Sequence, residues 1–349
     1  MNNDQLFIKR CIELALNGQG AVSPNPMVGA VVVCDGKIIG EGYHKKYGQH
    51  HAEVNAINAV LEKYPNAAAL LRRSTIYVSL EPCSHFGKTP PCSDLIIHHQ
   101  LSKVVIGCVD PFEKVSGKGI AKLQAAGIEV TAGILEKECL ELNKRFITMQ
   151  TKHRPYIILK WAETQDGFFA PTNGKQFWIT GDRSKELVHK WRTEEDAILI
   201  GKNTALADDP ALTVREWQGR NPVRVVIDRK LELPSNLKIF DHSAKTIVYN
   251  EIKTDIENNI HFNQLEFNEY LPQFIMYQLY LQDIQSVIIE GGAHLLNQFI
   301  SYGLWDEARI FTGNKFLKTG IPAPLLSGKI VSKEMIEDDE LKVFHNSLS

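Results

Sequence analysis

His51-Ala52-Glu53 and the downstream stretch Glu81-Pro82-Cys83-Ser84-His85-Phe86-Gly87-Lys88-Thr89-Pro90-Pro91-Cys92 decide how this chain is read. The first opens a predicted helix. In the second, Pro82-Cys83 ends a predicted strand and Cys92 begins another helix. One histidine and two cysteines would leave the fourth tetrahedral position of a zinc ion open to water, the arrangement of a catalytic rather than a structural site. A cysteine at a helix start is biased towards the thiolate that metal binding needs. Glu53 lies two residues beyond His51, close enough to reach such a water without being a ligand. A carboxylate there can take up the water proton and hand it on. Two blander readings compete. His51 could be a helix-cap histidine beside two unrelated buried cysteines, or the zinc could be purely structural with His85 as fourth ligand. Cys11, Cys34, Cys108 and Cys139 lack comparable surroundings and read as small core residues.

Outward from these motifs, apolar periodicity predicts a helix over 7–16, a strand over 30–33, a turn at Asp35-Gly36 and a return strand over 37–40. A helix over 53–61 follows, then a strand over 75–80, a helix over 93–99, a strand over 104–109, a helix over 119–126 and a short strand over 128–131. One helix over 136–149 closes the region. Strands separated by helices predict a layered α/β domain. The boundary is expected near Lys152-His153-Arg154-Pro155, dividing the chain into residues 1–150 and 151–349. Strands are expected again over 156–161, 197–200, 223–227, 245–249 and 286–289, so the second domain is α/β as well.

The chain has 349 residues and a formal net charge of −2, which gives no reason to expect attraction to nucleic acid or a membrane surface. The polar start Met1-Asn2-Asn3-Asp4 lacks the pattern of a signal peptide, and no apolar run is long enough to cross a bilayer. A cytoplasmic protein acting on a small molecule is expected. Six cysteines in a chain of this length do not suggest a disulfide framework. Association into a homo-oligomer is left open.

In the second half the Gly-x-Gly-x-x-Gly dinucleotide fingerprint is absent. Instead Val287-Ile288-Ile289-Glu290 runs into Gly291-Gly292 and a helix from about Ala293, a turn that lets a phosphate approach backbone N–H groups. A tight turn explains the glycines equally well. Further clusters are Lys160 with Thr164-Gln165-Asp166-Gly167, Trp178-Ile179-Thr180, His189-Lys190-Trp191-Arg192, Gly201-Lys202-Asn203-Thr204, and Asp208-Asp209-Pro210-Ala211-Leu212-Thr213-Val214-Arg215.

The first half resembles the cytidine-deaminase-like superfamily, in which zinc activates the water and a non-ligand glutamate shuttles protons. Eight residues separate Cys83 from Cys92, more than in the common Pro-Cys-x-x-Cys form. This longer insert, with Pro24-Asn25-Pro26-Met27-Val28-Gly29 and Gly42-Tyr43-His44, is similar to the family of bifunctional riboflavin-biosynthesis deaminase–reductases, and the clusters of the second half resemble its reductase domain. The resemblance implies a cytidine-deaminase-like three-layer domain followed by a dihydrofolate-reductase-like domain, with one zinc per chain and NADPH as cofactors. It implies that Asn25, His44, His85 and Lys88 line the pyrimidine pocket. Arg192 and Arg215 would grip the substrate phosphate, which suits the planar fork of arginine. Gln176, Leu212 and Glu290 would border the substrate, and Ala162, Trp178, Thr204, Asp208 and Gly292 the cofactor. Lys160 and Asp166 would be polar neighbours of the reacting carbon. Phe112, Glu113 and Gln165 depart from the family pattern. The rival readings are a nucleic-acid-editing deaminase fused to a reductase-like domain, which would want a basic strand-binding groove, and a zinc-stabilised binding module, which metal removal should unfold.

Overall fold

The first helix, α1 (Asn3–Leu16), starts ahead of its apolar periodicity because Asn2 and Gln5 form a reciprocal capping box. In this computed structural model, which describes residues 2–86, 90–111, 116–172 and 177–347, the chain divides into two compact units, Met1–His153 and Arg154–Ser349. In the first unit β1 (Gly29–Cys34) and β2 (Lys37–Tyr43) form a hairpin. Its turn residues Asp35 and Gly36 both take positive φ, as a two-residue hairpin turn requires. Then come α2 (Ala52–Lys63), α3 (Ala67–Arg72), β3 (Thr75–Leu80), α4 (Cys92–His98), β4 (Lys103–Cys108), α5 (Lys118–Ala125), β5 (Glu129–Ala132), α6 (Glu136–Leu142) and α7 (Lys144–Lys152).

The sheet order is β2-β1-β3-β4-β5, antiparallel in the hairpin and between β1 and β3, parallel from β3 to β5. Side chains alternate across it. Ala30 and Val32 pack with Ala52, Ala56, Ile57 and Val60 on one face. Val31 and Val33 pack with Phe7, Ile8, Cys11 and Cys139 on the other. The result is three layers, with buried cysteines as small core residues. Helix α2 lies directly on β2: a Cβ on Gly42 would fall 2.4 Å from the Ala56 nitrogen. That close approach fixes the height at which His51, the residue preceding α2, is presented.

The continuous helix expected over 136–149 is two helices, broken at Asn143 (φ −104°, ψ 18°). Asn143 is 2% exposed. Its Oδ1 accepts the Met27 N–H at 2.8 Å and its Nδ2 donates to the Met27 carbonyl at 3.0 Å. The side chain makes the contacts a neighbouring strand would make, and this competes with helix continuation.

The second unit contains β6 (Tyr156–Thr164), β7 (Phe168–Ala170), α8 (Asp182–Glu194), β8 (Ala197–Gly201), α9 (Lys202–Asp208), β9 (Val223–Ile227), β10 (Thr246–Asn250), β11 (Asp255–Glu257), β12 (Ile260–Gln264), α10 (Leu271–Tyr280), β13 (Ser286–Ile289), α11 (Ala293–Ser301), β14 (Glu307–Gly313), β15 (Ile321–Pro322), β16 (Lys329–Ile336) and β17 (Asp339–His345). Among the described residues its main sheet has ten strands, ordered β11-β12-β10-β9-β8-β13-β6-β14-β17-β16. From β12 to β14 every pair is parallel, and antiparallel strands close both edges. The carboxyl ends of β8, β13 and β6 lie side by side. In an open parallel sheet this is where ligands bind.

Candidate active sites

In the first unit, His51, Cys83 and Cys92 converge, one donor atom from each lying within 4.8 Å of the others. His51 Nδ1 is 3.7 Å from Cys83 Sγ and 3.4 Å from Cys92 Sγ. Ordinary Zn–N and Zn–S bonds at tetrahedral angles place such donors about 3.5 Å apart, so the three residues fit one zinc ion. The chemistry of the set agrees. Hydrogen bonding from Cys92, joined by His51, holds the Cys83 thiol down at about 4 despite its burial. Cys92 faces that sulfur and is itself buried, which pushes its thiol well up. Two adjacent thiols cannot both ionise without positive charge between them, and a divalent cation supplies it. The Cys92 N–H also donates to Cys83 Sγ at 3.2 Å, a consequence of placing Cys92 at the start of α4. Among the described residues the cluster has three donors. His85 is exposed and stands outside it.

Glu53 is in the first turn of α2 and 3% exposed. Burial first, and then the negative Cys83 sulfur, raise its carboxyl to about 7, a value suited to taking and giving a proton near neutrality. His44 is buried. Its Nδ1–H donates to the His50 carbonyl at 3.0 Å, and its Nε2 accepts from Asn25 Nδ2 at 3.0 Å. Both bonds use the neutral ring, and burial lowers the pKa in the same direction. Asn25 and His44 therefore form one hydrogen-bonded unit, and the His44 ring lies edge-on to His51 with centroids 5.4 Å apart. Lys88 falls outside the described residues.

Two contributors to this site were not assigned a role from the sequence. Asn143 holds Met27, two residues beyond Asn25. Glu81, 5% exposed, accepts four backbone N–H groups, those of Asp110, Gly117, Gly119 and Ile120. An asparagine interrupting a helical pattern and a carboxylate at a strand end before Pro-Cys were the available signals.

In the second unit Arg192, 9% exposed on α8, donates through Nη2 to Glu290 Oε2 at 3.1 Å and through Nη1 to the Thr213 carbonyl at 3.3 Å. Lys160 on β6 joins the group. Desolvation lowers its pKa, and Glu290 opposes the shift. Burial would raise the Glu290 carboxyl, but Lys160 and Arg192 outweigh it and hold the group ionised. Among the described residues, the buried Arg192 Nε and Glu290 Oε1 have no partner. Orphaned polar atoms in a buried ion pair are where a polar ligand fits. The Arg215 N–H donates to His189 Nδ1 at 3.2 Å, while the Arg215 side chain is exposed and forms no ion pair among the described residues. Leu212, 2% exposed, takes a left-handed backbone (φ 54°), a strained conformation for its residue type.

Of the cofactor residues suggested by the sequence, Thr204 lies in the helix that follows β8 and Gly292 follows β13. Thr204 Oγ1 accepts the Gly292 N–H at 2.9 Å. Gly292 precedes α11, whose N-terminus has no side-chain cap, a backbone cradle compatible with a cofactor phosphate. Trp178 is exposed, with Lys185 Nζ 4.4 Å from its ring centroid. Ala162 packs against the core, and burial raises the Asp208 carboxyl. Asp166 is engaged in holding a turn: it accepts from Thr164 Oγ1 and from the Leu317 and Lys318 amides. Gln176 falls outside the described residues.

Known proteins match both halves of the chain. Residues 1–108 match the cytidine and deoxycytidylate deaminase zinc-binding region, and residues 155–338 match the RibD C-terminal domain. The riboflavin biosynthesis protein RibD of Aquifex aeolicus is 40% identical over 323 residues, covering 91% of this chain and 89% of the relative. That of Escherichia coli is 36% identical over 332 residues, covering 90% and 88%. The crystal structure of a diaminohydroxyphosphoribosylaminopyrimidine deaminase/5-amino-6-(5-phosphoribosylamino)uracil reductase from Thermotoga maritima superposes with a TM-score of 0.90 at 39% identity, covering 99% of each chain. The zinc-fitting cluster of the first unit and the buried ionic cluster at the strand ends of the second are thus found together in a protein that belongs to the RibD family, the bifunctional riboflavin-biosynthesis enzymes that join a zinc-dependent deaminase to an NADPH-dependent reductase.

Proposed function

We propose that residues 1–150 hydrolytically deaminate 2,5-diamino-6-(5-phosphoribosylamino)pyrimidin-4(3H)-one, and that residues 151–349 reduce the ribosyl group of the resulting 5-amino-6-(5-phosphoribosylamino)uracil to a ribityl chain. The observation that carries the reading is the His51–Cys83–Cys92 cluster with a buried Glu53 beside it. When bound there, zinc supplies a water of lowered pKa at its open position. Glu53 moves two protons in turn, one from the attacking water to the ring nitrogen and one from the added hydroxyl to the amine that leaves as ammonia. Asn25 and His44 hold the pyrimidine, with His85 lining the same pocket.

In the second unit NADPH supplies the reducing equivalents when bound. Thr204 and Gly292 border it, together with Ala162, Trp178 and Asp208. Arg215 grips the substrate phosphate with its planar fork, and Arg192 turns its unpartnered Nε edge to the same group. Glu290 and Leu212 border the substrate. The ionised Glu290 between Lys160 and Arg192 keeps a proton-accepting group within the buried site.

The substrate is a free small molecule in the cytoplasm. The near-neutral net charge supports this over a nucleic-acid or membrane partner, and no helix among the described residues is long and apolar enough to cross a membrane. The test is turnover of the phosphoribosyl diaminopyrimidine by the full chain, with products identified by mass. Without NADPH the expected product has one amine replaced by oxygen; with NADPH it carries two further hydrogens. Deamination of single-stranded nucleic acid in place of this substrate would overturn the reading.

A further inference from the structure

We propose that Glu81 is a positioning residue of the deaminase, locking the segment that presents Cys83 to the loop and helix that follow β4. Glu81 follows directly on β3, two residues before Cys83. Its Oε1 accepts the N–H groups of Gly119 at 2.8 Å and Ile120 at 3.3 Å. Its Oε2 accepts those of Gly117 at 3.0 Å and Asp110 at 3.2 Å. The Glu81 N–H donates to the Cys108 carbonyl at 3.0 Å. Both ends of the residue are therefore tied, the backbone to the end of β4 and the side chain to Asp110 and the start of α5.

The arrangement exceeds what helix capping needs. The N-terminus of α5 leaves N–H groups without intrahelical partners. An ordinary serine or aspartate at its own N-cap would satisfy them. That position is Gly117, in a left-handed conformation with no side-chain cap. The acceptor comes instead from the segment that carries Cys83, and each of its two oxygens takes two of the backbone N–H groups. Gly119 adds a steric clamp: a Cβ there would lie 2.2 Å from the Pro82 carbonyl oxygen. Glu81 and Pro82, the two residues before Cys83, are thus pinned side by side against one helix start. Partners that orient a ligand govern how tightly it holds its metal, so the clamp sets both the persistence of zinc and the alignment of the reacting centre.

The test uses the full zinc-loaded chain with Glu81→Gln and Gly119→Ala. In Glu81→Gln an amide NH2 confronts two backbone donors that the carboxylate accepted. In Gly119→Ala the carboxylate stays but α5 is pushed off Pro82. Zinc transfer to a chromogenic chelator should accelerate about tenfold or more in each, with deaminase kcat falling by a similar factor. Reduction of the deaminated substrate by the same samples should stay at the wild-type rate. Wild-type zinc transfer and deaminase kcat in folded Glu81→Gln would overturn the proposal, even if its melting temperature dropped, because that pattern describes a purely structural cap. If Glu81→Gln does not fold, Gly119→Ala decides by the same criterion. The proposal rests on Cys83 being a zinc ligand. Cys83→Ser in the same chelator assay tests that separately: undiminished zinc there rejects the ligand assignment rather than the clamp.

Discussion

Replacing Asn143 by alanine should loosen the segment that carries Asn25 while leaving the reductase intact. Asn143 makes two hydrogen bonds to Met27, at 2.8 and 3.0 Å, from a position 2% exposed to solvent. Truncation leaves the Met27 N–H and C=O without partners. Each unsatisfied buried group costs about 1–3 kcal/mol. Met27 is half-buried, so water recovers part of the loss and about 2 kcal/mol in total is the working figure. At 1.4 kcal/mol per tenfold, that corresponds to about 30-fold faster opening of the segment. Hydrogen exchange followed by mass spectrometry on a peptide spanning Met27 reads this directly. Asn25 is two residues away and donates to His44 Nε2, so deaminase KM should rise while zinc content and reduction of the deaminated substrate hold. Exchange of the Met27 peptide within about threefold of wild type would refute the reasoning, since it would mean the two bonds contribute nothing to local stability.

Cys83→Ser and Cys92→Ser should each lose zinc, and full occupancy in both by metal analysis would reject the cluster as a zinc site. Glu53→Gln should keep zinc and the reductase rate while deaminase kcat falls by at least about 100-fold, the usual contribution of a positioned proton-transfer group; near-normal turnover of the zinc-loaded variant rules the role out. Arg215→Lys should be impaired as well as Arg215→Ala, because lysine keeps the charge but loses the paired fork. Both variants should discriminate less than wild type between phosphorylated and dephosphorylated substrate in steady-state reduction. For pH, burial first, then the opposing His50 carbonyl, leave the His44 pKa below its ordinary 6.5. The unfolded chain then binds the proton more readily than the folded one. The contribution of His44 to stability is complete above 6.5 and falls away as pH drops through the folded value. Deaminase KM should therefore rise on acidification below 6.5, by more in wild type than in a His44→Gln variant; parallel profiles would contradict this.

The convergence of His51, Cys83 and Cys92, the burial of Glu53 beside them and the first hairpin were legible because their signals are local. A His-x-Glu at a helix start, cysteines at element ends and Asp35-Gly36 between strands report chemistry or geometry within a few residues. Buried parallel strands such as Val223–Ile227 and Ser286–Ile289 were found at their full extent, because strands covered on both faces are continuous apolar runs. The strands at the C-terminal edge were not found. β16 is exposed along nearly its whole length, and only pairing with β17 makes it a strand.

What the amino-acid order determined alone was which residues are chemically able to bind zinc, move a proton or grip a phosphate, since those capacities belong to side-chain type and short spacing. Tertiary structure decided which of them meet. Glu290 and Arg192 are 98 positions apart and become one buried ion pair, while Asp166, chemically as eligible, is held at a turn by the Leu317 and Lys318 amides. Asn143 breaks a helix that its neighbours favour because Met27, 116 positions away, offers it two hydrogen bonds. Glu81 gathers four amides from a segment that begins 29 residues downstream. Buried polar groups must find partners wherever the fold brings them, and a linear pattern of residue types carries no record of distances that exist only once the sheets have closed.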